Sequence, residues 1–103
     1  MSVRYTRDAL HDLDQISSYL AKRNIRAAAA ILDAVETVVA RLGRFPYSSQ
    51  TTEMPGIRAA PVARFPYIVF YSVENGDVVI HYVRHASRMR PWESPINETE
   101  ERG

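Results

Sequence analysis

The chain has 103 residues, with 13 basic and 12 acidic side chains and no cysteine, which fits one globular domain and leaves no room for two. A domain of this size buries roughly 60 to 65% of its unfolded surface, so little apolar area is left for a deep cofactor pocket. The absence of cysteine removes disulfides, a thiol nucleophile and Cys-ligated zinc, and it points to a reducing, cytoplasmic location. The longest apolar runs, 27-AAAAIL-32 and 67-YIVFY-71, fall well short of the ~20 residues that span a bilayer, and no charged-then-apolar signal precedes them. No membrane association is expected.

In chain order, 3-VRYT-6 alternates and carries β-branched and aromatic types, so it reads as a short opening strand. Thr6 is an N-cap candidate, with Asp8 in the first turn behind it, where a carboxylate favours the helix dipole. Leu10, Leu13, Ile16 or Ser17, and Leu20 recur at helical spacing. They predict a helix over about 7–22, closed by Lys22 and Arg23 with Asn24 in the left-handed conformation. From Ile25 to Leu42 there is no Gly or Pro, and Ala28, Ile31, Leu32, Val35, Val38, Val39 and Leu42 form one broad apolar stripe. This second helix is expected to stop at Gly43 and to pair with the first as an antiparallel hairpin. The small side chains of 27-AAAA-30 allow close approach by another element of the fold or by a partner.

The stretch 44-RFPYSSQTTEMPG-56 has two prolines and no period, and reads as a surface loop pinned to the core by Phe45 and Tyr47. Three runs of strand character follow, 57–64, 66–73 and 77–85. Asn75-Gly76 between the last two is a strong hairpin signal, because a type I′ turn needs positive φ at both central residues. Pro61 places the first run at an edge or a bend. Residues 93–103 are polar, acidic and without period, and read as a tail, whereas 1–92 form the domain. The predicted fold class is α+β: a strand, a helical hairpin and a three-stranded antiparallel meander, with the helices packed on one face of the sheet.

The net charge of +1 is unevenly distributed. Residues 57–92 carry five Arg against two acids, whereas 93–103 carry four acids against one Arg. Arg58, Arg64, Arg84, Arg88 and Arg90 are expected along one side of the meander, where Tyr67, Tyr71, Tyr82 and Trp92 can stack against bases or fill a small core. His81 and His85, four residues apart on a strand, stand about 13 Å apart on one face, too far to share an ion that needs ~2 Å bonds. No metal and no cofactor are expected. His85, at the strand end before 86-ASRMRPW-92, is the better acid–base candidate, and His81 reads as a packed or surface strand residue. His11, Asp8, Asp12 and Asp14 read as a solvated helix face. Taken alone, these residues support either a basic-patch binding module or a metal-free ribonuclease.

The strings 5-YTRDALHDLDQISSYLAKRN-24, 41-RLGRFP-46, 55-PGIRAAPVARFPYIVFYSV-73 and 82-YVRHASRMRPW-92, in that order and spacing, resemble toxins of the RelE/ParE superfamily, and more closely its ParE branch. The resemblance runs from about residue 3 to residue 92. It implies a type II toxin–antitoxin toxin, silenced by a ParD-like antitoxin whose extended segment wraps it. ParE-like members inhibit DNA gyrase and block replication; RelE-like members cut mRNA in the ribosomal A site without a metal. Carried over, Arg58 and Arg88 match basic positions of RelE-like toxins and, with His85, are the catalytic candidates under a ribonuclease reading. Ala60, Ile68 and Trp92 stand where that branch has a second basic residue, an arginine and a C-terminal tyrosine. The gyrase reading is therefore preferred, and under it the protein is a binding poison, not an enzyme. The contacts it implies for gyrase, or for DNA or the ribosome through the target, are Arg58, Arg64, Arg84, His85, Arg88, Arg90 and Trp92. Arg58 and Arg64 are the expected antitoxin contacts. A homologue that only binds antitoxin is the third reading.

Overall fold

The computed structural model describes residues 2–88 and 90–93, so the expected tail lies outside the described residues apart from Glu93. Strand β1 (Val3–Tyr5) leads into helices α1 (Arg7–Ala21) and α2 (Ile25–Arg44), followed by β2 (Gln50–Thr51), β3 (Arg58–Pro61), β4 (Tyr67–Glu74) and β5 (Asp77–His85). The strands form one sheet in the order β1-β5-β4-β3-β2. β1 pairs parallel with β5, and the other pairs are antiparallel. The expected α+β arrangement holds: both helices cover one face, and the sheet is mixed because the opening strand returns beside the last one.

Of the α2 stripe, Ala28, Ile31, Val35, Val38, Val39 and Leu42 are buried, whereas Leu32, expected with them, is 37% exposed. Val35, Val38, Val39 and Leu42 share one core with Ala60, Val69, Tyr71, Val78, Ile80 and Val83 of the sheet. Each fully buried aliphatic side chain there contributes about 1.5–3 kcal/mol. From α1, the inward side chains are Ala9, Leu13 and Ile16. Leu10, expected in that stripe, is 55% exposed. Thr6 caps α1 as expected, its hydroxyl accepting from the Ala9 N–H at 3.0 Å. Asn24 takes a different part from the one expected. Its backbone is extended (φ −161°), and its side chain caps the start of α2 through the Arg26 and Ala27 N–H groups. The Asn carbonyl oxygen, not left-handed backbone freedom, is what the junction uses.

Gly43 does not stop α2, which runs one residue further. A Cβ at Gly43 would stand 3.3 Å from Val3 Cγ2, so the missing side chain lets β1 approach the helix. Beyond the helix, Phe45 and Tyr47 are exposed and do not pin the loop. The buried Tyr71 hydroxyl donates to the Pro46 carbonyl at 2.7 Å, and Arg58 Nη1 donates to the Ser49 carbonyl at 2.7 Å. These two neighbours on the sheet, directly paired across β3 and β4, hold the loop from below and let β2 form within it. β3 ends at Pro61, short of the expected Arg64, which lies in the β3–β4 turn with φ 70°. Pro61 pairs only on its β4 side, as an edge position allows. Asn75 and Gly76, both at positive φ, close the β4–β5 hairpin as expected.

One irregularity sets the sheet's facing pattern. Phe70 pairs with Tyr82 and Tyr71 with Ile80, so His81 is an extra residue in β5, a β-bulge. Before it, Val78 and Ile80 face the helices; after it, Val83 does. His81 and His85 therefore do not share a face, contrary to the expectation for an unbroken strand. The His81 ring lies 2.8 Å from the Ser72 hydroxyl, on the side away from the helices, and His85 meets Tyr67 edge-on at 5.3 Å on the helix side. Tyr71→Phe removes one buried donor without changing packing. We expect it to lower stability by about 1 kcal/mol in urea titration and to speed amide exchange around Ser48.

Candidate functional site

Helix α1 lies along the part of β5 that β1 leaves unpaired. The Thr6 hydroxyl donates to the His81 carbonyl at 3.0 Å. Asp12 Oδ2 accepts both the Val83 N–H at 3.0 Å and Arg84 Nε–H at 3.1 Å. Asp12 was expected on a solvated face, but its side chain is only 13% exposed. It lies three residues after Ala9 and four before Ile16, on the face that packs inward, and it satisfies a strand N–H beyond the end of β1, which pairs with β5 only as far as Ile80.

Between α1 and the paired ends of β4 and β5 an open cleft of 690 Å³ forms. Ile16, Tyr67 and Val83 give it an apolar floor; His11, Arg84, His85 and Arg88 stand around it. His85 Nδ1 accepts the Ser87 N–H at 3.1 Å and lies 2.7 Å from the Ser87 hydroxyl. A ring nitrogen that accepts a backbone N–H carries no proton, so the neutral ring is protonated at Nε2. The turn continues with the Arg88 N–H donating to the His85 carbonyl at 3.0 Å, and it sets Arg88 exposed at the rim.

The face of the sheet away from the helices is built differently. Ala59, Pro61, Ile68, Phe70 and Tyr82 share it by register. Arg84 stacks over Tyr82 at 4.9 Å while its Nε is held by Asp12. Phe70 is 2% exposed because Trp92 packs edge-on against it at 5.4 Å and Arg90 lies over both rings at 5.7 and 5.8 Å. The Trp92 indole N–H donates to Glu53 Oε2 at 2.9 Å, and Arg90 Nε stands 3.7 Å from the same oxygen. The Glu53 backbone N–H, the Trp92 N–H and Arg90 together hold the Glu53 carboxyl below the usual glutamate range.

The five arginines expected along one side of the meander are thus divided. Arg58 faces the helix side, half-buried, stacked 5.0 Å from the Tyr47 ring and bonded to the loop. Arg64 is exposed at the β3–β4 turn. Arg88 and His85 stand at the cleft, Arg84 between cleft and open face, and Arg90 with Trp92 on the open face. Arg58 is separated from the others because residues paired across a ladder share a face, and its partner Tyr71 is a core residue. Among the described residues, no three His, Asp or Glu side chains converge as metal ligands, and no helix is long and apolar enough to cross a membrane.

Residues 3–90 match the family described as "ParE toxin of type II toxin-antitoxin system, parDE". The chain belongs to the ParE toxin family. The Sinorhizobium fredii protein named "Putative toxin Y4kP" is 34% identical over 89 residues, covering 86% of this chain and 92% of that one. In fold, this ParE-family toxin matches a chain of the chromosomal ParDE system from P. aeruginosa with a TM-score of 0.75 at 22% identity, across 84% of this chain and 97% of the other. It also matches the isolated E. coli RelE toxin with a TM-score of 0.59 at 14% identity, across 98% and 96% of the two chains. A third match is to the Mycobacterium tuberculosis RelBE2 toxin–antitoxin complex, with a TM-score of 0.55 at 28% identity, across 84% and 92%.

Two residues that shape these surfaces, Asp12 and Glu53, were not singled out from the sequence as site residues. A helical wheel centred on Ala9, Leu13 and Ile16 would have placed Asp12 on the inner face; no sequence signal pairs Glu53 with Trp92, 39 residues away. Asp12→Ala strands the Val83 N–H and frees Arg84. We expect it to lose about 1–3 kcal/mol of stability in chemical denaturation, whereas Asp8→Ala and Asp14→Ala stay within about 0.5 kcal/mol.

Proposed function

We propose that this ParE-family toxin acts in the cytoplasm by inhibiting DNA gyrase, and that a ParD-like antitoxin silences it. The observation that carries the target assignment is the make-up of the open sheet face. Metal-free cleavage of RNA needs charge stabilisation for the developing phosphorane, together with an acid and a base. Around Phe70 the open face offers Ala59, Pro61 and Ile68. Its cations are engaged, Arg84 by Asp12 and Arg90 over the rings of Phe70 and Trp92; the Tyr82 phenol lies under Arg84, Arg58 faces the other side, and Trp92 has no phenolic proton. Both histidines near the arginines, His11 and His85, stand at the cleft and not on this face, and His85 has its Nδ1 occupied by Ser87. Such a surface suits binding a protein better than cleaving a phosphodiester.

Under this reading the target contacts are Arg90 and Trp92 on the open face and Arg88 and His85 at the cleft rim, with Arg84 between them. The antitoxin lays apolar side chains on Ile16, Tyr67 and Val83 and pairs acidic ones with exposed arginines such as Arg64. Arg58, engaged with the Ser49 carbonyl, contributes to that contact only by holding the loop. That several similar folds were solved as toxin–antitoxin complexes supports the antitoxin half of the reading.

Purified toxin is assayed against gyrase supercoiling and cleavage-complex formation, in parallel with translating ribosomes probed for A-site mRNA cuts. We expect gyrase inhibition with intact mRNA, and a roughly tenfold or greater loss of potency for Arg88→Ala, as for a central interface arginine. Codon-positioned cuts with normal supercoiling would transfer the function to the RelE-like reading and make Arg58, His85 and Arg88 catalytic candidates again.

A further inference from the structure

Residues 90–93 cross the open face of the sheet from the end of β5 toward the β2–β3 loop. The Arg90 N–H donates to the Glu93 carboxylate at 2.9 Å and the Glu93 N–H to the Arg90 carbonyl at 2.8 Å, which closes the strap into its own turn. Among the described residues no backbone hydrogen bond ties it to the sheet. Its attachment is the set of side-chain contacts around Glu53: the Trp92 indole N–H, the Arg90 guanidinium, and the stacking of both on Phe70. This attachment is weak at two points. The Glu53 side chain is 56% exposed, so water and salt screen its pairing with Arg90. Among the described residues the buried Arg90 Nη1 has no hydrogen-bond partner, a cost the closed arrangement carries and an open one would relieve.

We propose that residues 90–93 are an autoinhibitory latch, with Glu53 as its catch. Closed, the latch covers Phe70 and engages Arg90 and Trp92 within the molecule. Open, it bares Phe70 next to Ile68, Pro61 and Ala59, which are accessible already, and beside two freed side chains, a cation and an indole; this is the composition of a protein-binding hot spot. The proposal rests on the reading of this chain as an active toxin and is indifferent to which target it takes. A target that binds only the open form sees its apparent affinity reduced by the fraction open. If about one molecule in ten is open, removing the catch raises potency up to about tenfold.

Trp92 is the single tryptophan of the chain, so its emission reports the latch directly. The test compares wild type, Glu53→Ala and Glu53→Gln; the glutamine keeps an acceptor for the indole but loses the charge. Emission is read on the purified full chain, and potency is read as growth arrest against toxin level in cells. We expect Glu53→Ala to shift Trp92 emission to the red and to arrest growth at a several-fold lower toxin level, with Glu53→Gln between it and wild type. Arg90→Gln should shift Trp92 emission in the same direction if the catch is the ion pair as well as the indole bond; it is read by emission alone, because Arg90 belongs to the surface that the open form presents. An unchanged urea midpoint identifies the emission shift as local. Unaltered emission in Glu53→Ala overturns the latch. A red shift with no gain in potency, in a wild type that does arrest growth, overturns the autoinhibition and leaves the toxin reading intact. Silence of wild type and variants alike overturns the toxin reading and the autoinhibition together, while emission still decides whether the strap is latched.

Discussion

One extra residue in β5 decides which side chains this protein hides and which it shows. At His81 the strand gains a residue against β4, and the alternation of faces inverts from there onward. Ile80 and Val83 both enter the core, His85 turns toward the α1 cleft, and Tyr82 with Arg84 turns to the open face. β1 ends opposite Ile80, just before the bulge, and α1 takes over the bonding of β5 beyond it. The Thr6 hydroxyl takes the His81 carbonyl, and Asp12 takes the Val83 N–H. The helix start, the strand end and the cleft between them are therefore one hydrogen-bonded unit.

That unit explains the division of the cations. A row of arginines along a meander suggests a single phosphate cradle, yet each strand presents its residues to two faces, and register assigns them. Arg58 shares its face with Tyr71 and works as an anchor for the loop before β2. Arg84 is balanced by Asp12. Arg88 projects from a turn that the His85 ring caps, and Arg90 lies flat over two aromatic rings. What remains is a cationic rim around a cleft with an apolar floor on one side, and Phe70 under a tethered strap beside an apolar strip on the other. Under the proposed function both surfaces take protein partners, the antitoxin and the target.

Much of this fold was legible in the residues. Thr6 as a cap, the α2 stripe, the Asn75-Gly76 turn and the span of β5 follow from local chemistry that the chain obeys, and the strings shared with RelE/ParE toxins tied them into one topology. The departures have a common cause, which is that the deciding partner is distant in sequence. Gly43 is small because Val3 arrives beside it, and Asn24 has both a helix to end and a helix to begin. The loop after α2 is held by Tyr71 and Arg58 from two strands further on, not by its own Phe45 and Tyr47. The bulge is invisible in 77-DVVIHYVRH-85 because an unbroken strand satisfies the same alternation up to Ile80. Of the candidate site, His85 and Arg88 were legible because a strand end followed by a basic segment is a local pattern. Glu53 was not, since only the folded sheet brings it to Trp92.

The central claim is that the open face of the sheet, where Trp92 and Arg90 cover Phe70, is a protein surface and not a cradle for nucleic acid. Titrating the toxin with single-stranded RNA while following Trp92 emission tests it most directly, because a base that docks on this face must stack on or displace the only indole in the chain. The account predicts no saturable change in emission at physiological salt. Saturable quenching that weakens steeply as salt is raised, the signature of phosphate contacts with base stacking, would contradict it.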